Sequence, residues 1–184
     1  MKRTTLADHE HMAALVAGDD ASWAKLYERH LDGLVRFCGN FTPDAQLAQD
    51  WAQEAFIKLR EKAANFRPGS PLKPWLYKIA RHICLEGLSR RREAQWTDSV
   101  FALSIARRAD SAPSPATRFA DAQIGAAALA KLAELSEEHR SVLMLKYVEG
   151  LSRQEIAEAI EIPEATVKSR LYYAMNAIRA QLET

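Results

Sequence analysis

At 184 residues and 20.6 kDa the chain has room for one ordinary domain or two small ones, each with a modest core. Its 25 Lys and Arg against 24 Asp and Glu leave neither a basic arm nor an acidic tail, so net charge singles out no class of partner. No run reaches the roughly 18 apolar residues of a membrane span, and the opening MKRTTLADHEHMAALVAGDD lacks the apolar stretch of an export signal, which predicts a cytoplasmic protein. Cys38 and Cys84 each sit inside an apolar pattern, as reduced core thiols do.

The apolar period is helical almost throughout. A weak helix is expected from His9 to Val16. From Asp20, a good N-cap, the residues Trp23, Leu26, Tyr27, His30, Leu31, Leu34 and Cys38 recur at intervals of three and four and define one buried stripe. After the breaker Pro43 a second helix begins near Asp44, carries Ala48, Ala52, Ala55, Phe56, Leu59 and Ala63 on one face, and stops before NFRPGSP. A third starts between Pro71 and Pro74, which a first turn tolerates, and buries Leu76, Ile79, Ala80 and Ile83 before running out into SRRRE. These helices predict a compact bundle over residues 1–94.

Residues 95–120 contain prolines and small polar residues with no sustained apolar face, the pattern of a linker. A second helical unit, residues 121–184, opens near Asp121. There QIGAAALAKLAEL leads to Ser136, a cap for SEEHRSVLMLKYVEG, which Gly150 closes in a left-handed conformation. The expected fold class is all-α: two small helical domains joined by a linker.

Ser152 and Glu155 have the spacing of a capping box, and Leu151 with Ile156 that of a hydrophobic staple. Ile156, Ala157 and Ile160 face inward, the turn EIP follows, and a longer helix buries Val167, Leu171, Ala174, Ile178 and Leu182. A short helix, a tight turn and a longer helix with polar residues at its start form a major-groove reader, a DNA-binding helix-turn-helix. Glu164 stands at the start of the recognition helix, where a carboxylate suits the dipole, and Thr166, Lys168, Ser169 and Arg170 are placed for base edges and phosphates.

The run LSEEHRSVLMLKYVEGLSRQEIAEAIEIPEATVKSRL resembles the C-terminal promoter-binding domain of the extracytoplasmic-function (ECF) group of bacterial RNA polymerase sigma factors. Independently, AQDWAQEAFIKLRE resembles that family's polymerase-binding helix, and FRPGSPLKPWLYKIARHICLEGLSRRR its loop and helix that open the promoter −10 region. The resemblance implies a transcription initiation factor that binds core RNA polymerase, recognises a −35 element with its C-terminal domain and melts the −10 element with its N-terminal one. It also implies an anti-sigma factor among the partners. No cofactor and no enzymatic activity of its own are expected, since neither a phosphate loop nor a nucleophile motif is present.

Within that frame Asp50, Gln53 and Glu54 share one helix face, an acidic and amide patch suited to a basic partner, which the resemblance identifies as the clamp coiled coil of the largest polymerase subunit. Trp75, Lys78 and His82 share a face of the third helix, with Arg81 beside them and Arg67 and Lys73 preceding, so that rings and cations alternate as an unpaired strand requires. Arg90, Arg91 and Arg92 extend this basic end toward duplex DNA.

The chain also departs from the family pattern. Glu161 and Ala165 stand where glycine is frequent, and Tyr172, Tyr173, Ala174, Met175 and Asn176 replace residues that are usually basic. From Ala126 onward, seven Lys and Arg face nine Glu, a net of −2. Weak autonomous DNA affinity is therefore expected, with polymerase supplying the anchoring. A stand-alone helix-turn-helix regulator is the competing reading, disfavoured because no strand and helix alternation of a receiver domain occurs. A metal-binding helical protein would rest only on His9 and His11.

Overall fold

The computed structural model of the chain describes residues 4–101 and 135–182. The N-terminal part is built from α1 (Thr4–Val16), α2 (Asp20–Cys38), α3 (Ala45–Glu61), a 3-10 turn at Ala63–Asn65, and α4 (Leu72–Phe101). The C-terminal part holds α5 (Glu137–Leu143), a π-helical turn at Met144–Val148, α6 (Arg153–Ile160) and α7 (Glu164–Leu182). Among the described residues there is no strand. The expected helix QIGAAALAKLAE and the part of the linker beyond Phe101 lie outside them.

Side-chain caps set the helix starts. The cap of α2 is Asp19, one residue before the Asp20 expected from the sequence: its carboxylate accepts from Ala21 N at 3.0 Å and from the Ser22 hydroxyl at 2.7 Å. Asp20 is instead the first helical residue, facing the positive end of the dipole and pairing with Arg60 at 2.7 Å. Asp44 caps α3 by accepting from Gln46 N and Leu47 N. At the other end of the bundle α4 does not stop at SRRRE. From Leu88 to Ala112 the chain has neither proline nor glycine to end a helix, and α4 continues through Phe101, into the stretch read as linker.

The predicted stripes are buried. Leu26, Leu34 and Cys38 of α2 meet Ala48, Ala52, Ala55, Phe56 and Leu59 of α3 and Leu76, Ala80 and Ile83 of α4, while Trp23, Tyr27 and Leu31 are partly covered. Phe37 and Trp51 complete this core. Trp51 lies against Gly87 of α4, where a Cβ would stand 2.5 Å from the indole ring, so the absence of a side chain sets how closely α3 and α4 approach.

In the C-terminal part Ser136 caps α5, the π turn widens the helix over Met144–Val148, and Gly150, at φ 73°, ends it. The Ser152 and Glu155 capping box is formed in both directions. Val167 and Ala174 are buried along α7; Leu171 and Ile178 are partly covered against Leu135 and Leu143.

The two parts are not separate in this conformation. α6 lies against α4, and Val142, Leu145, Leu151, Ile156, Ile160 and Val167 belong to the same buried cluster as Leu76, Ala80 and Ile83. Ile156 and Ile160, expected to face inward, thus join a core continuous with the N-terminal bundle.

Candidate nucleic-acid interface

The turn between α6 and α7 carries the one non-glycine residue with positive φ among the described residues, Glu161, at φ 57° and ψ 47°. Beyond it α7 shows a continuous exposed stripe of Glu164, Ala165, Lys168, Ser169, Tyr172 and Tyr173, with Thr166 and Arg170 half-buried. Glu164 pairs with Arg153 at 3.3 Å, the Ser169 hydroxyl donates to the Thr166 carbonyl, and Arg170 pairs with Glu138 of α5 at 2.9 Å. Arg170 therefore braces α7 on α5. Lys168 lines an open cleft with Lys146, Tyr147 and Arg153. Tyr172 and Tyr173, about two-thirds exposed with rings 5.7 Å apart, extend the stripe by a further turn; in the sequence they registered only as missing basic residues.

A second polar surface forms on α4. Trp75 is half-buried with its ring 5.3 Å from Phe66, which in turn lies 5.5 Å from the His9 ring. Arg67, Trp75 and Lys78 line an open cleft of about 780 Å³ whose far wall is Ala157, Glu158 and Glu161 of the C-terminal part. Glu161 pairs with Lys78 at 2.9 Å, with His82, and with Arg81 at 3.9 Å. The Lys78 ammonium, then the hydrogen bond from His82, holds this carboxyl below its usual range. Lys73 is engaged by Glu149. The structure thus brings Lys78, Arg81 and His82 together around Glu161, beside the cleft that Arg67, Trp75 and Lys78 line, whereas Lys73, in the first turn of α4 and two residues from Trp75, is turned to Glu149 on another side of the helix. Arg90 and Arg91 lie further along α4, paired with Glu86 at 3.2 Å and Asp44 at 3.7 Å.

On α3, Asp50 and Gln53 are exposed and Glu54 half-buried, on the side away from Ala52, Phe56 and Leu59. Gln46 donates to Asp50 at 2.9 Å. The two N-terminal histidines are tied to different parts of the bundle: His9 Nδ1 accepts from Gly69 N and His11 Nδ1 lies 3.2 Å from the Ser22 hydroxyl. The neighbouring Cys38 sulfur, then burial, pushes the Cys84 thiol far up, which leaves it an inert core group.

An N-terminal bundle with a cationic, ring-bearing helix and a C-terminal helix-turn-helix define a two-part promoter-reading factor. Residues 26–94 match the family Sigma-70 region 2, and residues 126–178 match Sigma-70, region 4. The chain is 31% identical over 174 residues to the ECF RNA polymerase sigma factor SigL of Mycobacterium tuberculosis, covering 94% of this chain and 95% of that one. It is 27% identical to the probable RNA polymerase sigma factor RfaY of Xanthomonas campestris pv. campestris over 95% of its own length, and spans 44% of that relative. Among solved structures it is similar to the sigma factor RpoE in complex with the anti-sigma factor NepR from Bartonella quintana, with a TM-score of 0.66 and 25% identity over 88% of this chain and 96% of that one. The chain belongs to the ECF group of the sigma-70 family, factors that direct promoter-specific transcription initiation by RNA polymerase.

Proposed function

We propose that the two parts divide the work of initiation, with residues 1–94 binding core polymerase and melting the −10 element, residues 95–120 connecting, and residues 121–184 reading the −35 element. The α7 stripe supports the second role: Lys168 and Ser169 are exposed near the start of the recognition helix, with Glu164, Thr166 and Arg170 flanking them. The observation that carries the first role is the clustering of Lys78, Arg81 and His82 on α4 beside a cleft lined by Arg67, Trp75 and Lys78, with Lys73 a further cation in the first turn of the same helix. Rings beside cations stack an unpaired base and hold its phosphates. Arg90 and Arg91, exposed further along the same helix, follow the duplex upstream of the opened bases. Asp50, Gln53 and Glu54 form the polymerase-binding face, because their exposed side is acidic and avoids the α3 core stripe.

The protein works in the cytoplasm, without a cofactor and without catalysis of its own, lending promoter selection to another enzyme. An anti-sigma factor is a further partner, a reading supported by the likeness to RpoE held by NepR. No helix among the described residues is long and apolar enough to cross a membrane. The test is run-off transcription by core polymerase on a pool of genomic fragments. Wild-type protein is expected to yield discrete transcripts, and Lys78→Ala with Arg81→Ala to lose them while still copurifying with polymerase. No discrete transcript from any fragment would defeat this reading.

A further inference from the structure

Neither histidine of α1 belongs to the promoter-reading surfaces, yet the residues around them fix the helix that carries them. Asp8 is buried and paired with Arg29 and His30 of α2, Met12 is fully buried, and His11 lies 3.2 Å from the Ser22 hydroxyl. α1 is thereby anchored on the bundle to either side of His9. His9 itself, half-buried, reaches the loop between α3 and α4.

That loop contains Arg67, Pro68, Gly69 and Ser70, the residue types of a type II turn: Pro68 at the first corner, Gly69 at φ 90° at the second, and Ser70 N donating to the Arg67 carbonyl at 3.1 Å. The N–H of the second corner takes no part in that closing bond. Here it is donated to His9 Nδ1 at 3.3 Å, which makes Nδ1 the unprotonated nitrogen of the ring. The same ring lies 5.5 Å from Phe66 at the start of the loop, and Phe66 lies 5.3 Å from Trp75 of α4. Three rings therefore run from α1 through the loop to α4, while the tip of the turn is tied back to α1.

Arg67 and Trp75 line the cleft assigned above to the opened strand. A stacking ring and a loop cation serve an unpaired base best when they are already in place, because ordering them as the strand arrives is subtracted from the binding. We propose that His9 is a positioning residue for strand opening: from behind the loop it holds Phe66 and Gly69, and through them sets Trp75 and Arg67 for an unpaired base and its phosphate. The inference rests on the reading of Trp75 and its cationic neighbours as the strand-opening surface. Its two contacts are chemically separable. His9→Asn keeps an acceptor near the place of Nδ1 and removes the ring, whereas His9→Phe keeps the ring and removes the acceptor.

The experiment uses the holoenzyme of each full-length variant with core polymerase, on a promoter fragment recovered by run-off transcription. Closed-complex affinity is read in the cold from the anisotropy of the labelled fragment, opening from permanganate reactivity of the −10 thymines on warming, and folding from thermal unfolding of the free chain. His9→Ala is expected to keep closed-complex affinity within about twofold and to lower opening about tenfold, through loss of one hydrogen bond and one ring contact. His9→Asn and His9→Phe are each expected to recover part of this, to about threefold below wild type. Wild-type opening in His9→Ala overturns the proposal, as does recovery by neither of the other two. A loss shared equally by closed complex and opening also overturns it and makes His9 a support of the fold only. Should His9→Ala fail to fold, His9→Phe decides: opening about threefold below wild type upholds the tie to Gly69, and wild-type opening overturns it. A wild-type holoenzyme that opens no fragment overturns the reading of α4 together with this inference, whereas a difference confined to the variants bears on His9.

Discussion

A Cβ on Gly33 of α2 would stand 2.7 Å from the Glu149 carboxylate and 2.7 Å from the Tyr77 hydroxyl. One glycine in mid-helix therefore makes room for a carboxylate from the other part of the chain. Alanine there would gain about 1 kcal/mol of helix propensity in an open helix. Overpacking against two hydrogen-bonded groups costs about 1 to 3 kcal/mol and outweighs it. Gly33→Ala is expected to lower the urea midpoint in wild type and to do so less when Glu149→Ala is present. A double-mutant cycle by urea denaturation gives the coupling, predicted at about 1 kcal/mol; additivity would mean the two residues do not share this space.

Gly87 sets a different contact. Its missing Cβ would lie 2.5 Å from the rigid Trp51 ring, which cannot swing aside as a carboxylate can. Gly87→Ala is expected to cost about 1 to 3 kcal/mol by separating α3 from α4. Replacing Trp51 with Leu in the same chain should recover part of that loss, measured by thermal unfolding.

Asp8 ties α1 to α2 through Arg29 at 2.5 Å and buried His30 at 3.1 Å. Burial alone would raise its pKa, but the hydrogen bonds and charges of His30 and Arg29 outweigh it and hold the carboxyl below the usual range. A depressed carboxyl contributes stability that is present above its unfolded pKa and is lost as pH falls through the folded one. Asp8→Asn is therefore expected to destabilise the protein at neutral pH, by up to about 3 kcal/mol for breaking a buried pair. The gap from wild type should close as pH falls through and below the carboxylate range, followed by chemical denaturation. A gap independent of pH would assign Asp8 a packing role only.

Asp50→Lys with Glu54→Lys places cations on the face proposed for polymerase while avoiding the buried stripe of α3. Like charges at an interface cost several kcal/mol, so holoenzyme formation is expected to fall by orders of magnitude while circular dichroism stays unchanged. A folded variant that binds core polymerase at wild-type strength would move the interface elsewhere.

The helices and their inner faces were legible because the periods of Leu26, Leu34, Ala48, Ala52, Phe56, Leu76 and Ile83 are local. So were the caps at Ser136 and Ser152 and the helix start near Asp44. Between Asp19 and Asp20 the composition does not choose, and only the hydrogen bonds to Ala21 and Ser22 select the first. The end of α4 was missed because its turns past Glu93 lose their apolar face without meeting a breaker. The cationic face of α4 could be read from Trp75, Lys78 and His82, but not what covers it. Lys73 and Glu149 are separated by 76 residues, and no periodicity links residues so far apart. Glu149 in the sequence is a helix end before Gly150, and Glu161 a turn residue in an unfavourable place. Their partners are visible only once α6 lies on α4.

On the proposed division of work, promoter recognition by this chain depends on polymerase. The most direct measurement is a footprint on one promoter fragment, found by run-off transcription, with the free protein and with the holoenzyme at the same salt. The free protein is expected to give no protection, because its C-terminal half is net acidic from Ala126 onward and its α4 cations are held by Glu149 and Glu161. The holoenzyme is expected to protect the −35 element and to leave thymines of the −10 element reactive to permanganate. Specific protection of the same fragment by the free protein, at similar concentration and without polymerase, would contradict the account and mark the chain as a regulator that binds DNA alone.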